Sequence, residues 1–168
     1  MPAGNSGHAT APPVRKTSVT ERWMITAKSR LRVELSGLAF AIKHGHTPEE
    51  YAQELWGRGA KGWMGKPDPD PLEYLQKEAR AVAIFYPWIK GTPRLVAPGR
   101  AEMTICEGCL AGWAEDRWGL SRSLGLSRED VCRYCQEAFR VWGGQIGLDV
   151  TLSPQNDGTC VLRAEVKK

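Results

Sequence analysis

A chain of 168 residues with 42% hydrophobic and 25% charged side chains carries enough apolar material for one core, which excludes a disordered or fibrous protein. Its formal charge of +4 is too small to mark a nucleic-acid-binding protein without a concentrated patch. No apolar run approaches the roughly 18 residues that span a membrane, and the first 20 residues lack a secretory signal core, so a cytoplasmic protein without membrane contact is expected.

Residues 1–18, rich in Gly, Ala, Ser, Thr and Pro without apolar periodicity, predict a mobile tail ahead of a single α+β domain over 19–168. From Thr20 the pattern changes. Trp23, Ala27, Leu31, Leu35, Leu38 and Ile42 recur at helical spacing, predicting a long helix that ends near His44-Gly45. Arg15, Lys16, Arg22, Lys28, Arg30 and Arg32 read as the solvated face of that helix, so nucleic acid is not expected as a partner.

Thr47-Pro48-Glu49-Glu50 supplies a cap hydroxyl, a proline at the first helical position and a glutamate three residues after the cap, restarting the helix with Tyr51, Leu55, Trp56 and Trp63 on its apolar face. Gly57, Gly59 and Gly62 weaken its second half. Asp70-Pro71 opens a third helix that carries Leu72, Leu75, Ala79 and Val82 and stops before Pro87. Residues 81–86 fit either the end of that helix or a short strand.

Residues 94–97 and 100–106 read as a hairpin about Pro98-Gly99. A helix over 110–124 with Trp113 and Trp118 follows, then one capped by Ser127-Arg128-Glu129-Asp130 that runs to Gly143-Gly144. The C-terminal alternation is strict: Ile146, Leu148, Val150 and Leu152 share one strand face, and Cys160 shares its own inward face with Leu162, Ala164 and Val166. The expected architecture is α+β, with three N-terminal helices and a four-stranded, mainly antiparallel sheet whose hairpins flank two inserted helices.

Four of the five cysteines form two Cys-x-x-Cys pairs, Cys106 with Cys109 and Cys132 with Cys135, separated by 22 residues. An odd total without a secretory signal argues for reduced thiols rather than disulfides. Three readings are open. Cys106, Cys109, Cys132 and Cys135 hold zinc or an iron–sulfur cluster, as double pairs of thiolates do. Alternatively Cys106 or Cys109, at a strand-to-helix junction that lowers thiol pKa, is a nucleophile with Glu137, Glu107, Glu115 or Asp116 as a carboxylate base. In the third, Cys132, Cys135, Phe139 and Trp142 are an apolar stripe and nothing more. Trp113, Trp118 and Trp142 suit a pocket for a flat ligand, although tryptophans of this number also fit a core.

The order of Cys106 after a strand, Cys132-x-x-Cys135 followed by Gln136 and Glu137, a strand over 146–152, and Gly158-Thr159-Cys160-Val161-Leu162-Arg163 resembles the L-2-amino-thiazoline-4-carboxylate hydrolase family. Thr47-Pro48-Glu49-Glu50-Tyr51-Ala52 ahead of a glycine and a tryptophan also fits, so the resemblance covers roughly residues 45–165. That family is similar in layout to vinyl-4-reductase-type ligand-binding domains, with helices packed on one side of an antiparallel sheet. The resemblance implies that Cys106, Cys132, Cys135 and Cys160 gather at one site that hydrolyses a cyclic C=N bond. The leading expectation is therefore a cysteine-dependent hydrolase of a small heterocyclic or C=N-containing substrate. Cys106, Cys109 and Glu137 would be catalytic, and Trp113, Trp118, Trp142 and Cys160 would contact substrate. The competing expectation is a non-enzymatic module that binds zinc, an iron–sulfur cluster or a small ligand; a homo-oligomer is compatible with both.

Overall fold

The computed structural model describes residues 16–66, 68–106, 115–155 and 159–167, with side chains of the third segment from 119 onward. Cap chemistry sets the helix starts. At Ser18 the hydroxyl accepts from the Glu21 amide while the Glu21 carboxylate accepts from the Ser18 amide, a capping box that opens α1 (Val19–Lys43). Thr47 and Glu50 repeat the device at α2 (Pro48–Trp56). The helix expected to continue from there breaks instead, because Gly59 sits at φ +102°, a left-handed conformation that side chains with a Cβ disfavour. The chain re-forms as α3 (Ala60–Met64), so among the described residues four helices rather than three precede the sheet.

Asp70 accepts from the amides of Leu72 and Glu73 at the start of α4 (Pro71–Phe85), which runs as helix through the stretch that also fitted a strand. Then β1 (Lys90–Ala97) and β2 (Arg100–Cys106) form the first hairpin. It begins ahead of the expected residue 94 because Gly91 and Pro93 interrupt the alternation by which strands are read; Pro93 is tolerated because β1 is an edge. Next come α5 (Glu115–Ser123) and α6 (Arg128–Gly144), the latter opened by a Ser127–Asp130 capping box, and then β3 (Leu148–Pro154) and β4 (Cys160–Val166). The sheet order is β1-β2-β4-β3 with every pair antiparallel, so the inserted helices lie between the two hairpins as expected.

Strand alternation then divides the sheet. Ala101, Met103 and Ile105 of β2, Leu148, Val150 and Leu152 of β3, and Cys160, Leu162 and Ala164 of β4 are buried on one face. That face is covered by α4, against β1, β2 and β4, and by α6, against β3. The approach of α6 is close: a Cβ on Gly143 would come within 2.1 Å of Val150 Cγ2. On the other face Glu102 accepts from Arg163 at 2.8 Å, with Arg94 at 3.9 Å. A further layer is added by α1, against α2 and α4, and by α2, against α6. Among the described residues no helix is long and apolar enough to cross a membrane.

Candidate functional site

A cavity of about 230 Å³ opens between the two helical layers. Its walls are Arg30 and Glu34 from α1, Trp56 from α2, Trp63 from α3, Glu78, Ala81, Val82 and Phe85 from α4, Tyr86 just beyond it, and Tyr134, Cys135, Ala138, Phe139 and Trp142 from α6. Trp142 meets Trp56 edge to face at 5.6 Å and 87°, and Trp63 in a tilted contact at 5.6 Å and 57°. Gln145 holds this wall together, donating to the Trp56 carbonyl at 2.7 Å and accepting from the Ala60 amide at 3.2 Å.

Two carboxyl groups face this aromatic enclosure. Glu34 lies three residues after Leu31 and four before Leu38, on the inward stripe of α1. It accepts from Tyr134 at 2.6 Å on one oxygen, and from Tyr86 at 2.9 Å and Arg30 at 3.0 Å on the other. Tyr134 in turn accepts from the Trp56 indole at 2.8 Å, and Arg30 also donates to Tyr86 at 2.8 Å. Burial, and after it the charge of Glu34, push the Tyr134 hydroxyl far above its usual range, so it remains a donor.

Glu78 occupies the matching place on α4, three after Leu75 and four before Val82, and is 7% exposed. Burial pushes its carboxyl up to about 7, opposed by the neighbouring Tyr74 hydroxyl. Tyr74 is itself fully buried, and its Oη lies outside hydrogen-bonding geometry with any acceptor. The influence of the two groups on each other is therefore one of proximity, not of a well-formed bond. Among the described residues no cation pairs with Glu78.

The described cysteines lie on three elements, β2, α6 and β4. Cys135 and Trp142 reach the cavity. Cys132 is half-buried on the same helix, where burial raises its thiol pKa and disfavours the thiolate a nucleophile requires. Cys160 is buried in the sheet, in register with Ile105. Cys106 is exposed at the end of β2, and alternation carries it with Thr104 onto the outer face, opposite Cys160. Cys109, Glu107 and Trp113 lie outside the described residues, as do the side chains of Glu115, Asp116 and Trp118. Among the described residues no three His, Cys, Asp or Glu side chains are arranged to hold a metal ion.

Glu137 is not at the cavity. It is clamped by Arg140 at 2.5 and 2.6 Å and by Gln53 at 2.7 Å, and the Arg140 hydrogen bonds hold its carboxyl below the usual range. A carboxylate so satisfied is a poor proton acceptor. The residues that do line the site with Cys135, namely Arg30, Glu34, Glu78, Tyr86 and Tyr134, were not singled out from the sequence as functional. Their signal there is a carboxylate inside an otherwise apolar helical stripe. No family model matches the chain, and no curated protein or solved structure matches it.

Proposed function

We propose that the protein is a small-molecule-binding domain whose ligand occupies the cavity between α1, α2, α3, α4 and α6. The observation that carries this reading is Glu78: a carboxyl 7% exposed, without a cationic partner among the described residues, on the wall of an aromatic enclosure. Isolated carboxyls are costly to bury, so an apolar cavity holding one is the usual form of a recognition site, in which apolar walls supply affinity and a single polar group fixes orientation. The indoles of Trp56, Trp63 and Trp142 suit a flat ligand.

Titration with 2-naphthol, followed by quenching of tryptophan fluorescence, tests this. One saturable site is expected, weakened at least about tenfold in Ala138→Phe or Ala81→Phe, where the added ring fills the cavity. Binding that both cavity-filled variants leave unchanged would place the ligand elsewhere and end the reading.

A second reading, the cysteine-dependent hydrolase, is favoured by one observation: Cys135 shares the cavity with Glu78. In that form the Cys135 thiol would add across a C=N bond: sulfur bonds to the carbon as the π bond breaks, the nitrogen takes the proton of protonated Glu78, and the thiol's own proton passes to the Glu78 carboxylate so formed. Cys135→Ala separates the two, since it abolishes turnover of a thiazoline in a hydrolase and leaves naphthol binding intact in a binding module.

A further inference from the structure

We propose that this cavity selects a small organic cation with a flat apolar body, with Glu78 as its counter-charge; the inference rests on the ligand-binding reading above. It follows from which charges around the cavity are already satisfied. Both oxygens of Glu34 are occupied by Tyr134, Tyr86 and Arg30, and Arg30 Nη1 is shared between Glu34 and Tyr86. That pair sums to zero. Glu78 is then the unbalanced group, and it lines the cavity while only 7% exposed.

An anion entering here would place a second negative charge beside an uncompensated carboxyl in a poorly solvated space, which is unfavourable at short range. A neutral ligand would leave Glu78 as costly as before. A cation neutralises it, and the faces of Trp56, Trp63 and Trp142 attract the same charge through their π-systems. Arg30 already exploits that attraction at the other wall, with its guanidinium 4.5 Å from the Phe85 ring centroid.

The consequence is a pH-dependent affinity. The titratable groups around Glu78 are Tyr74 on its own helix, Tyr86 beyond its end, Arg30 and Glu34 on α1, and Tyr134 and Cys135 on α6. The inward residues of the strands beneath α4 are apolar apart from the Cys160 thiol. Burial pushes the hydroxyls of Tyr74, Tyr86 and Tyr134 well above their usual range, so they keep their protons near neutral pH, whereas Glu78 titrates at about 7. Cation binding therefore demands release of the Glu78 proton below that pH.

The test compares benzyltrimethylammonium with 2,2-dimethylpropylbenzene, its uncharged isostere in which carbon replaces nitrogen, by tryptophan quenching on the full chain. At pH 8 the cation is expected to bind at least about tenfold more tightly, and its affinity to fall about tenfold per pH unit below 7 while that of the hydrocarbon stays constant. Glu78→Gln should abolish the slope and remove most of the preference, leaving only what the indoles supply; the wild-type pH series decides the matter alone if that variant does not fold. A hydrocarbon bound as tightly as the cation at pH 8 overturns the cation proposal while leaving the binding reading standing. A cation preference undiminished in folded Glu78→Gln overturns the assignment of Glu78. Failure of both compounds to bind, with 2-naphthol also inert, brings down the ligand-binding reading itself.

Discussion

Glu34 and Glu78 stand in equivalent places on two helices, each three residues after one apolar stripe position and four before the next, and both line one cavity. Their surroundings are opposite. Glu34 has three side-chain donors from three parts of the chain, and its bond to Tyr134 ties residues 100 positions apart. Glu78 has an aromatic cavity on one side and, on the other, a tyrosine that does not complete a hydrogen bond to it. A buried carboxyl must be compensated by donors or shed its charge by taking a proton. The first solution is structural and the second leaves a group with capacity to spare, so the same residue type on the same kind of helix face is an anchor in one helix and a recognition group in the other.

The contrast can be broken most sharply at the anchor. Glu34→Ala would strand the Arg30 guanidinium and two tyrosine hydroxyls, and the loss should be about 3–5 kcal/mol in urea denaturation at pH 7. A loss below about 1 kcal/mol would mean that the donors find other partners and that Glu34 anchors nothing. The next effect is smaller and depends on pH. Because Glu78 titrates at about 7 in the fold against 4.5 ordinarily, the folded protein holds a proton that the unfolded chain releases between those values. Its contribution to stability is complete at low pH and is lost as pH rises through about 7, by about 3 kcal/mol in all. Glu78→Gln cannot ionise, so its stability relative to wild type should climb by that amount between pH 4 and pH 8; a flat difference would show that Glu78 is solvated.

Much of the architecture is legible in the chain because local chemistry and long-range packing agree. Thr47, Asp70 and Ser127 cap the helices their side chains suggest, and the alternation from Leu148 to Leu152 and from Cys160 to Ala164 matches the buried face. The cap at Ser18 was equally readable, since Ser18-Val19-Thr20-Glu21 has the capping-box form. The site is another matter. Arg30 belongs by sequence to a basic, solvated helix face; it stands one turn before Glu34 on α1, and the packing of α4 beside α1 brings Tyr86 to both. Tyr134 sits inside the Cys132-Arg133-Tyr134-Cys135 motif, where the cysteines draw the eye and the hydroxyl makes the bond. The outward place of Cys106 is visible in the sequence: with Ala101, Met103 and Ile105 inward, a period of two sends Cys106 outward.

The smallest expected effect concerns that last pair of environments, and it weighs the cavity against the cysteines as the organising feature of the molecule. Cys160 is 4% exposed on the helix-covered face, so Cys160→Ser places a hydroxyl where a weakly polar thiol packed and should cost about 1–2 kcal/mol. Cys106 is exposed on the outer face, where serine meets water as readily as the thiol does, and Cys106→Ser should change stability by less than about 0.5 kcal/mol in the same denaturation experiment. Equal losses at the two positions would contradict the division of the sheet into a packed and an open face. A large loss at Cys106 alone, together with a stabilisation by added zinc that the wild type shows and the variant lacks, would give the first Cys-x-x-Cys pair a metal-binding role and move the functional centre from the helices to the end of β2.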